Sequence, residues 1–388
     1  MKPATAVTLL TSLDPLLRES VLARLRVDRP DVALLRHDVD LAATEGVVVR
    51  RIISGTRTEE HRLPLSSGCC LTCLIREDML DVARSGFTQH LVAVVPAALD
   101  PLAFAMLLAH AGDHDIPALE GSSGLLLGVV AVVRSETLES LIRSVGPPDP
   151  GMVEGLHAEL DASELLLRQI EHADVVLHDR ADERSSMLLA SLADSARHFT
   201  LDVPPTEWLA HRSPSPGNTC WPTPLGATPP RTGGGLSSAH WLRRRPLHPQ
   251  RFAEAIDQGL LGGLLRARGV VWVASRPTAV FEVSIAAESC ALGAIDTWLD
   301  PLSDALTVPD VPPCPSQSVG GHQIEWDPYY GDRFQSLSLV SETEDLDALV
   351  AELDDCLLTD AELAEGPVAW RRIDDSLLGP EDGSERWP

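Results

Sequence analysis

The chain has 388 residues, enough for two domains that each bury their own core. Its 57 acidic residues against 31 Lys and Arg give a formal net charge of −26, which repels nucleic acid and anionic membranes and excludes both as expected partners. No apolar window reaches the length of about 18 residues that a membrane span needs. The N-terminus leads into a strand-like run instead of a signal peptide, so a cytoplasmic protein is expected.

The first two hundred residues alternate strand-like and helix-like patterns. A continuous apolar run at 6–10 is typical of a buried parallel strand, and 16–25 follows with helical spacing. Further strands are predicted at 32–35, 47–53, 90–95, 125–133 and 175–177, and further helices at 74–84, 102–110, 152–170 and 185–196. This alternation predicts an α/β fold with a doubly wound, mostly parallel sheet and helices on both faces.

Three of the seven cysteines lie within five positions, at Cys69, Cys70 and Cys73. A Cys-x-x-Cys pair places two sulfurs on one side of a turn, close enough to share a soft metal ion or to form a disulfide. The run follows a Pro-Leu-Ser-Ser-Gly turn and opens the predicted helix at 74–84, so its thiols lie near a helix N-terminus, which favours the thiolate. A metal site is the favoured interpretation, and three small, buried, reduced thiols are the alternative.

A composition rich in Pro, Gly, Ser and Thr marks a break in the second half of the chain. It predicts three parts: a first domain at 1–203, an interdomain linker at 204–238 and a second domain at 239–388. Strand patterns at 270–273, 280–285 and 336–340 and a helix pattern at 346–357 indicate that the second domain is a smaller α+β unit.

Four blocks in the second domain identify a family. They are Arg-Pro-Leu-His-Pro-Gln-Arg-Phe at 245–252, Arg-Ala-Arg-Gly-Val-Val-Trp-Val-Ala-Ser-Arg-Pro at 266–277, Trp-Asp-Pro at 326–328 with Gly-Asp-Arg at 331–333, and Cys-Leu-Leu-Thr-Asp-Ala-Glu-Leu at 356–363. Together they resemble the C-terminal domain of CobW-type proteins. The first domain resembles the P-loop GTPase domain of the same family, and the cysteine run resembles its metal motif.

The resemblance implies a P-loop GTPase fold and a metallochaperone that loads zinc, cobalt or nickel into targets, with GTP binding and hydrolysis timing the transfer. Zinc is the expected metal here, because thiolates at this spacing suit a tetrahedral d¹⁰ ion. Cys70 and Cys73 are the expected ligands. Cys69 stands where the family more often has glycine, so it is either a third ligand or a passenger.

The segment that matches the family's phosphate loop lacks the residues that such a loop needs. Three glycines, a lysine and a threonine are replaced by Ser12, Pro15, Leu17, Arg18 and Glu19. A phosphate loop wraps backbone N–H groups around the phosphates and needs Lys and Ser/Thr to hold phosphate and magnesium. The only lysine of the chain is in its second position, so no shifted alignment restores the motif.

The other two nucleotide motifs are altered as well. Val94 replaces the acid that helps to hold magnesium, and Ala97 replaces the glycine that senses the γ-phosphate. Only the final acid of the guanine motif survives, as Asp182. GTP and magnesium are therefore not expected to bind, and Arg18 and Asp182 mark what remains of a nucleotide site.

The leading hypothesis is a degenerate CobW-type protein that binds zinc through Cys70 and Cys73, with Cys69 as a further candidate, and has no catalytic residue for GTP. Its expected partner is a metal-requiring client protein or an active paralogue, and a homo-oligomer is also compatible with the sequence. One alternative is an active GTPase that binds nucleotide through Arg18 and Asp182. Another is a thiol switch in which Cys70 and Cys73 form a disulfide.

Overall fold

The computed structural model describes residues 6–65, 70–101, 104–105, 126–153, 160–211, 230–260, 262–286, 289–298, 318–319, 322–323, 327–342, 346–375 and 377–378. Its contacts divide the chain into two compact units, Met1–Cys220 and Trp221–Pro388. None of the described helices is long and apolar enough to cross a membrane.

The first unit is built on an eight-stranded sheet with the order β4-β3-β2-β5-β1-β6-β7-β8. Its strands are β1 Ala6–Thr11, β2 Ala33–Asp38, β3 Val47–Ser54, β4 Arg57–Pro64, β5 His90–Val94, β6 Leu126–Val133, β7 Val175–His178 and β8 Arg197–Thr200. Strands β2, β5, β1, β6, β7 and β8 are parallel to their neighbours in that series. β3 and β4 form an antiparallel hairpin at one edge. The predicted doubly wound, mostly parallel sheet is therefore confirmed.

Helices cover both faces of this sheet. They are α1 Pro15–Asp28, α2 Ala42–Glu45, α3 Leu71–Ser85, α4 Leu138–Ile142, α5 Ala162–Glu171, α6 Glu183–Leu192 and α7 Pro205–Trp208. Alternate residues of β1 point to opposite faces, so Leu9 joins the core under α3 and Leu10 joins the core under α1. Burial on both faces explains why the central strands are continuous apolar runs.

The second unit contains a six-stranded antiparallel sheet with the order β13-β12-β11-β16-β10-β9. Its strands are β9 Arg231–Gly233, β10 Leu236–Arg243, β11 Leu264–Val271, β12 Ala279–Ala286, β13 Ser289–Thr297 and β16 Gln335–Ser341, with a separate pair β14 Ser318–Val319 and β15 His322–Gln323. The helices are α8 Pro249–Asp257, α9 Leu346–Asp355, α10 Asp360–Glu365 and α11 Pro367–Trp370. Phe252 of α8 and Leu353 of α9 pack against one side of the sheet, which gives the predicted α+β unit.

Some element boundaries differ from the sequence predictions. A helix is predicted over 152–170, whereas the described helix α5 begins only at Ala162. Residues 154–159 lie outside the described residues. Most of the helix predicted at 102–110 lies outside the described residues. The predicted linker at 204–238 contains regular structure at both ends. Its first residues form α7 in the first unit, and its last residues form β9 and the start of β10 in the second unit. Residues 212–229 lie outside the described residues.

Candidate functional site

Two of the clustered cysteines lie at the N-terminus of α3. Cys70 is the N-cap residue, with extended backbone, and its sulfur accepts a hydrogen bond from the Cys73 N–H at 3.3 Å. Cys70 is exposed and Cys73 is half-buried, and neither forms a disulfide. α3 forms here because Ile75, Met79 and Val82 recur on one face and are buried against the sheet, which leaves its first turn at the surface.

The helix terminus changes the acidity of the first thiol. Hydrogen bonds from the side chain and the backbone N–H of Cys73 lower the pKa of Cys70 below that of a free thiol. By contrast, burial raises the pKa values of Cys290 and Cys356, in the second unit, to about 11. The surroundings of Cys70 therefore favour the thiolate that binds metal, whereas those of Cys290 and Cys356 do not.

The metal donors that the structure describes at the N-terminus of α3 are the sulfurs of Cys70 and Cys73. Within the part of the chain that the structure describes, no group of three His, Cys, Asp or Glu side chains is arranged to hold a metal ion. Cys69, the predicted third candidate, lies outside the described residues, as does Cys314. The chemistry of Cys70 and Cys73 fits a soft, thiolate-binding ion such as zinc.

α3 is fixed to the sheet by a buried charged cluster that the sequence analysis did not identify. Asp78 is 8% exposed, and its carboxylate contacts His37 of β2 at 2.8 Å and Arg50 of β3 at 2.7 Å. Asp78 lies two turns after the cysteines, so this cluster helps to set the position of the helix that carries them. The nearest sequence signal was a charged residue on the otherwise apolar face of α3.

The connection between β1 and α1 is only three residues long, Ser12 to Asp14, and α1 already begins at Pro15. The positions that resemble the second half of a phosphate loop are thus helical. Asp14 is the N-cap residue, and its carboxylate accepts the Leu17 N–H at 2.8 Å. Ser12 donates its hydroxyl to the Val132 carbonyl at 2.7 Å, so both polar side chains of the connection are bonded within the protein.

The carboxyl ends of β1, β6 and β7 are joined by ion pairs. Arg134, directly after β6, donates to the second carboxylate oxygen of Asp14 and lies 3.7 Å from the carboxylate of Asp179, after β7. Burial would raise the pKa of Asp14, but the hydrogen bonds from Arg134 and Leu17 bring it below its ordinary value. The carboxylate that caps α1 is therefore ionised at neutral pH.

Glu19, which aligns with the family's magnesium-binding threonine, forms another salt bridge. Both oxygens of Glu19 contact Arg36 of β2, at 2.9 and 2.8 Å. The neighbouring Arg18, aligned with the phosphate-binding lysine, is 2% exposed and lies 3.6 Å from Glu19. Val94 and Ala97, the altered positions of the next motif, are both buried.

Asp182, the remaining acid of the predicted guanine motif, is the N-cap residue of α6. Its carboxylate accepts the Ser185 N–H at 2.7 Å, and this backbone hydrogen bond holds the pKa of Asp182 below its usual range. The side chain is exposed to solvent in this position. It therefore has a local role in starting α6.

A cleft of about 150 Å³ opens at the carboxyl ends of β2 and β5. This edge of a parallel sheet is where ligands bind in doubly wound proteins. The lining is polar and its charges are of both signs, with Arg51 bonded to Asp38 at 3.1 Å. The lining residues are Arg36, His37, Asp38, Asp40, Arg51, Val94 and Pro96.

Comparisons with known proteins agree with the resemblance seen in the sequence. A family model described as the cobalamin synthesis protein cobW C-terminal domain matches residues 236–357. The zinc-regulated GTPase metalloprotein activator 1 of Dictyostelium discoideum is 25% identical over 381 residues, which cover 92% of this chain and 78% of that protein. A zinc chaperone of Mycobacterium tuberculosis is 28% identical over 344 residues, which cover 84% of this chain and 83% of that protein.

Among solved structures, the Zn(II)-bound YjiA GTPase from E. coli is 14% identical and covers 92% of this chain and 100% of that chain. The TM-score of this match is 0.37. The match in the second unit and the two relatives confirm the resemblance that the sequence blocks indicated.

Proposed function

We propose that this chain, in which a CobW C-terminal domain model matches residues 236–357, is a CobW-type protein that binds zinc and delivers it to a metal-requiring client in the cytoplasm, without hydrolysing GTP. The observation that carries the proposal is the pair Cys70 and Cys73 at the exposed N-terminus of α3. One relative is named as a zinc chaperone and another as a zinc-regulated activator of metalloproteins, which supports both the metal and the client.

The position of the pair suits a carrier. A metal that is to be handed on must exchange ligands with a partner, so at least one sulfur has to be reachable from solvent. Cys70 is exposed, whereas Cys73 is half-buried and less accessible. We infer that Cys73 holds the ion during transfer while Cys70 exchanges, and that Cys69 is the candidate third ligand.

The absence of GTP hydrolysis is proposed from the geometry at the carboxyl ends of the first unit's strands. A phosphate loop needs a glycine-rich turn that surrounds the phosphates, and here α1 begins after three residues with a carboxylate at its cap. A bound triphosphate would bring several negative charges to Asp14. It would also compete with the pairing of Asp14 to Arg134 and of Glu19 to Arg36.

Zinc content and a competitive chelator titration test the metal site. Serine at Cys70 or Cys73 removes a soft anionic ligand, and we expect zinc affinity to fall by more than about 100-fold, since even outer-shell partners of a metal site contribute about 10- to 100-fold. Cys69→Ser should have a smaller effect if Cys69 is a passenger and an equal effect if it is a ligand. Cys290→Ser and Cys356→Ser are matched controls, because these thiols lie in the second unit.

Retention of one zinc per chain by the Cys70→Ser/Cys73→Ser double variant would contradict the proposed site. The thiol-switch alternative predicts a different result in the wild-type protein. There, thiol labelling would proceed as fast after zinc treatment as before it, because no metal would protect the sulfurs.

An active GTPase is the competing function, and it is favoured by the GTPase named among the relatives. It requires Arg18 and Asp182 to contact nucleotide. GTP turnover that is lost in Arg18→Ala would support this alternative and contradict the proposal.

A further inference from the structure

We propose that two copies of this chain associate edge to edge through β4, as an antiparallel, two-fold symmetric extension of the eight-stranded sheet. β4 is the terminal strand of that sheet, and among the described strands it pairs only with β3. It is eight residues long, whereas β8 at the opposite edge has four. The proposal concerns assembly and is independent of the proposed function.

The side chains of β4 lie in solvent on both faces of the sheet. All residues from Arg57 to Glu60, as well as His61 and Arg62, are exposed, and only Leu63 is partly buried. A strand without a buried face depends on neighbouring strands for its stability, and within the described part of the chain β4 has a partner strand on one side only. Charges commonly protect such an edge from unspecific pairing, so the arrangement of these charges decides whether pairing is blocked or directed.

The backbone phase of the open edge follows from the hairpin. β3 and β4 pair so that Ser54 lies opposite Arg57, and the Leu65 N–H, one residue past β4, donates to the Gly46 carbonyl at 2.8 Å. Odd-numbered residues of β4 therefore turn their N–H and C=O groups toward β3. The even-numbered residues Thr58, Glu60 and Arg62 turn theirs toward the open edge.

This phase limits the registers that two copies can adopt. In an antiparallel pair, residues directly opposite each other must have the same phase, so the two-fold axis has to pass through a residue of β4. An axis at Glu59, Glu60 or Arg62 would place like charges directly opposite each other, which is destabilising. An axis at His61 places Glu60 of each copy opposite Arg62 of the other.

The register centred on His61 also satisfies the charges next to it. Glu60 contacts Arg51 of β3 at 2.6 Å, and Arg62 contacts Glu45 of α2 at 2.7 Å. Across the interface the four side chains would form a row of charges, with Arg51 and Glu60 from one copy followed by Arg62 and Glu45 from the second. The sign of the charge would alternate along this row. Each of the two Glu60–Arg62 pairs would also exchange two backbone hydrogen bonds.

The test is the oligomeric state of the full chain by sedimentation equilibrium over a range of concentrations. The wild-type protein should form a dimer. Arg62→Glu places two carboxylates opposite each other and should raise the dissociation constant by about tenfold or more. Glu60→Arg should do the same, and the double variant Glu60→Arg/Arg62→Glu should recover dimerisation because the opposite charges are restored.

Two further variants separate edge pairing from other effects. Glu60→Pro removes an N–H that faces the open edge and leaves the ladder with β3 intact, so it should dissociate the dimer without unfolding the chain. Arg57→Glu changes an exposed charge on the same strand outside the Glu60–Arg62 pairs and is the matched control, expected to remain dimeric. Zinc content should be unchanged in all five variants, which keeps this test distinct from the metal site.

A wild-type chain that is monomeric at all concentrations would overturn the proposal. A dimer that neither Arg62→Glu nor Glu60→Pro weakens would overturn it as well, since the contact would then lie elsewhere.

Discussion

At the scale of single residues, the buried cluster of Asp78, His37 and Arg50 is expected to stabilise the first unit more than any surface ion pair. Asp78→Ala leaves the guanidinium of Arg50, whose side chain is only 17% exposed, without its carboxylate and removes the partner of a histidine whose side chain is 0% exposed. We expect a loss of about 3–5 kcal/mol in the free energy of unfolding, the range for breaking a buried pair from one side. Urea unfolding followed by circular dichroism measures it.

The control for this experiment is Asp38→Ala. Asp38 also pairs with an arginine, Arg51 at 3.1 Å, but both side chains are about a third exposed or more. Solvent screens this pair, and its removal should change the free energy of unfolding by at most about 1 kcal/mol. Equal effects of the two substitutions would show that Asp78 does not anchor α3.

Glu362 in the second unit is expected to make stability sensitive to acid. The hydrogen bonds from Arg251, at 2.8 and 2.9 Å, lower the pKa of Glu362 from 4.5 to about 2. Because the folded pKa is the lower one, the ionised carboxylate stabilises the fold fully above about pH 5, and this contribution is lost as the pH falls toward 2.

The measurement is the free energy of unfolding of wild type and Glu362→Gln between pH 7 and pH 3. The difference should be about 1–2 kcal/mol at neutral pH, allowing for solvent screening at the surface, and should shrink as the pH falls below about 4.5. A difference that stays constant over this interval would mean that the charge of Glu362 has no role in stability.

At the scale of elements, sequence patterns predicted the strands and helices whose apolar residues are buried. β1, β5 and β6 follow continuous apolar runs, and α3 follows an amphipathic one. β4 has the sequence Arg-Thr-Glu-Glu-His-Arg-Leu-Pro, which has no apolar alternation, and it is a strand because it pairs with β3 across a two-residue turn. Pairing of this kind is a property of the neighbour and leaves no pattern in the strand itself.

The candidate sites also contain some features that the sequence shows and others that depend on the fold. The cysteine spacing and the altered residues Pro15 and Leu17 are local features, and they could be found in the sequence. The contact of Arg134 with Asp14 joins residues 120 positions apart, and the cluster around Asp78 joins residues 41 and 28 positions apart. Only the folded sheet brings these groups together, so single-residue patterns gave no indication of them.

Gly269 in β11 lies in the block at 266–277 and is packed tightly against the neighbouring strand. A Cβ atom at this position would lie 1.8 Å from the backbone oxygen of Ser336 in the neighbouring strand β16. β16 also pairs with β10 and has little freedom to move away. We expect Gly269→Ala to lower the free energy of unfolding by about 3 kcal/mol or more, at the upper end for overpacking.

The matched substitution is Gly293→Ala in β13, where no atom lies within 4 Å of the added Cβ. Its effect should stay within about 0.5 kcal/mol. Thermal unfolding of the two variants gives the comparison, and a tolerated Gly269→Ala would show that β11 and β16 can separate more easily than their register indicates.

At the scale of the whole molecule, zinc release should be independent of GTP. A nucleotide can shift metal affinity only if it binds two states of the protein differently. In this chain the carboxyl ends of β1 and β6 are held by the protein's own ion pairs, and the cap of α1 carries a carboxylate. If the proposed function holds, the described connection between β1 and α1 offers a nucleotide no phosphate site through which it could act on the cysteines of α3.

The experiment compares chelator competition curves of the zinc-loaded chain with magnesium alone, with magnesium and GDP, and with magnesium and GTP at millimolar concentration. The three curves should superimpose, and calorimetric titration of GTP should show no binding. Coupling between real allosteric sites is typically about 5- to 150-fold in affinity, well above the error of such curves. A shift of that size with GTP that is abolished in Arg18→Ala would show that the nucleotide still controls zinc affinity. In that case the guanidinium of Arg18, which aligns with the missing lysine and is buried here, would have to move to contact the phosphates.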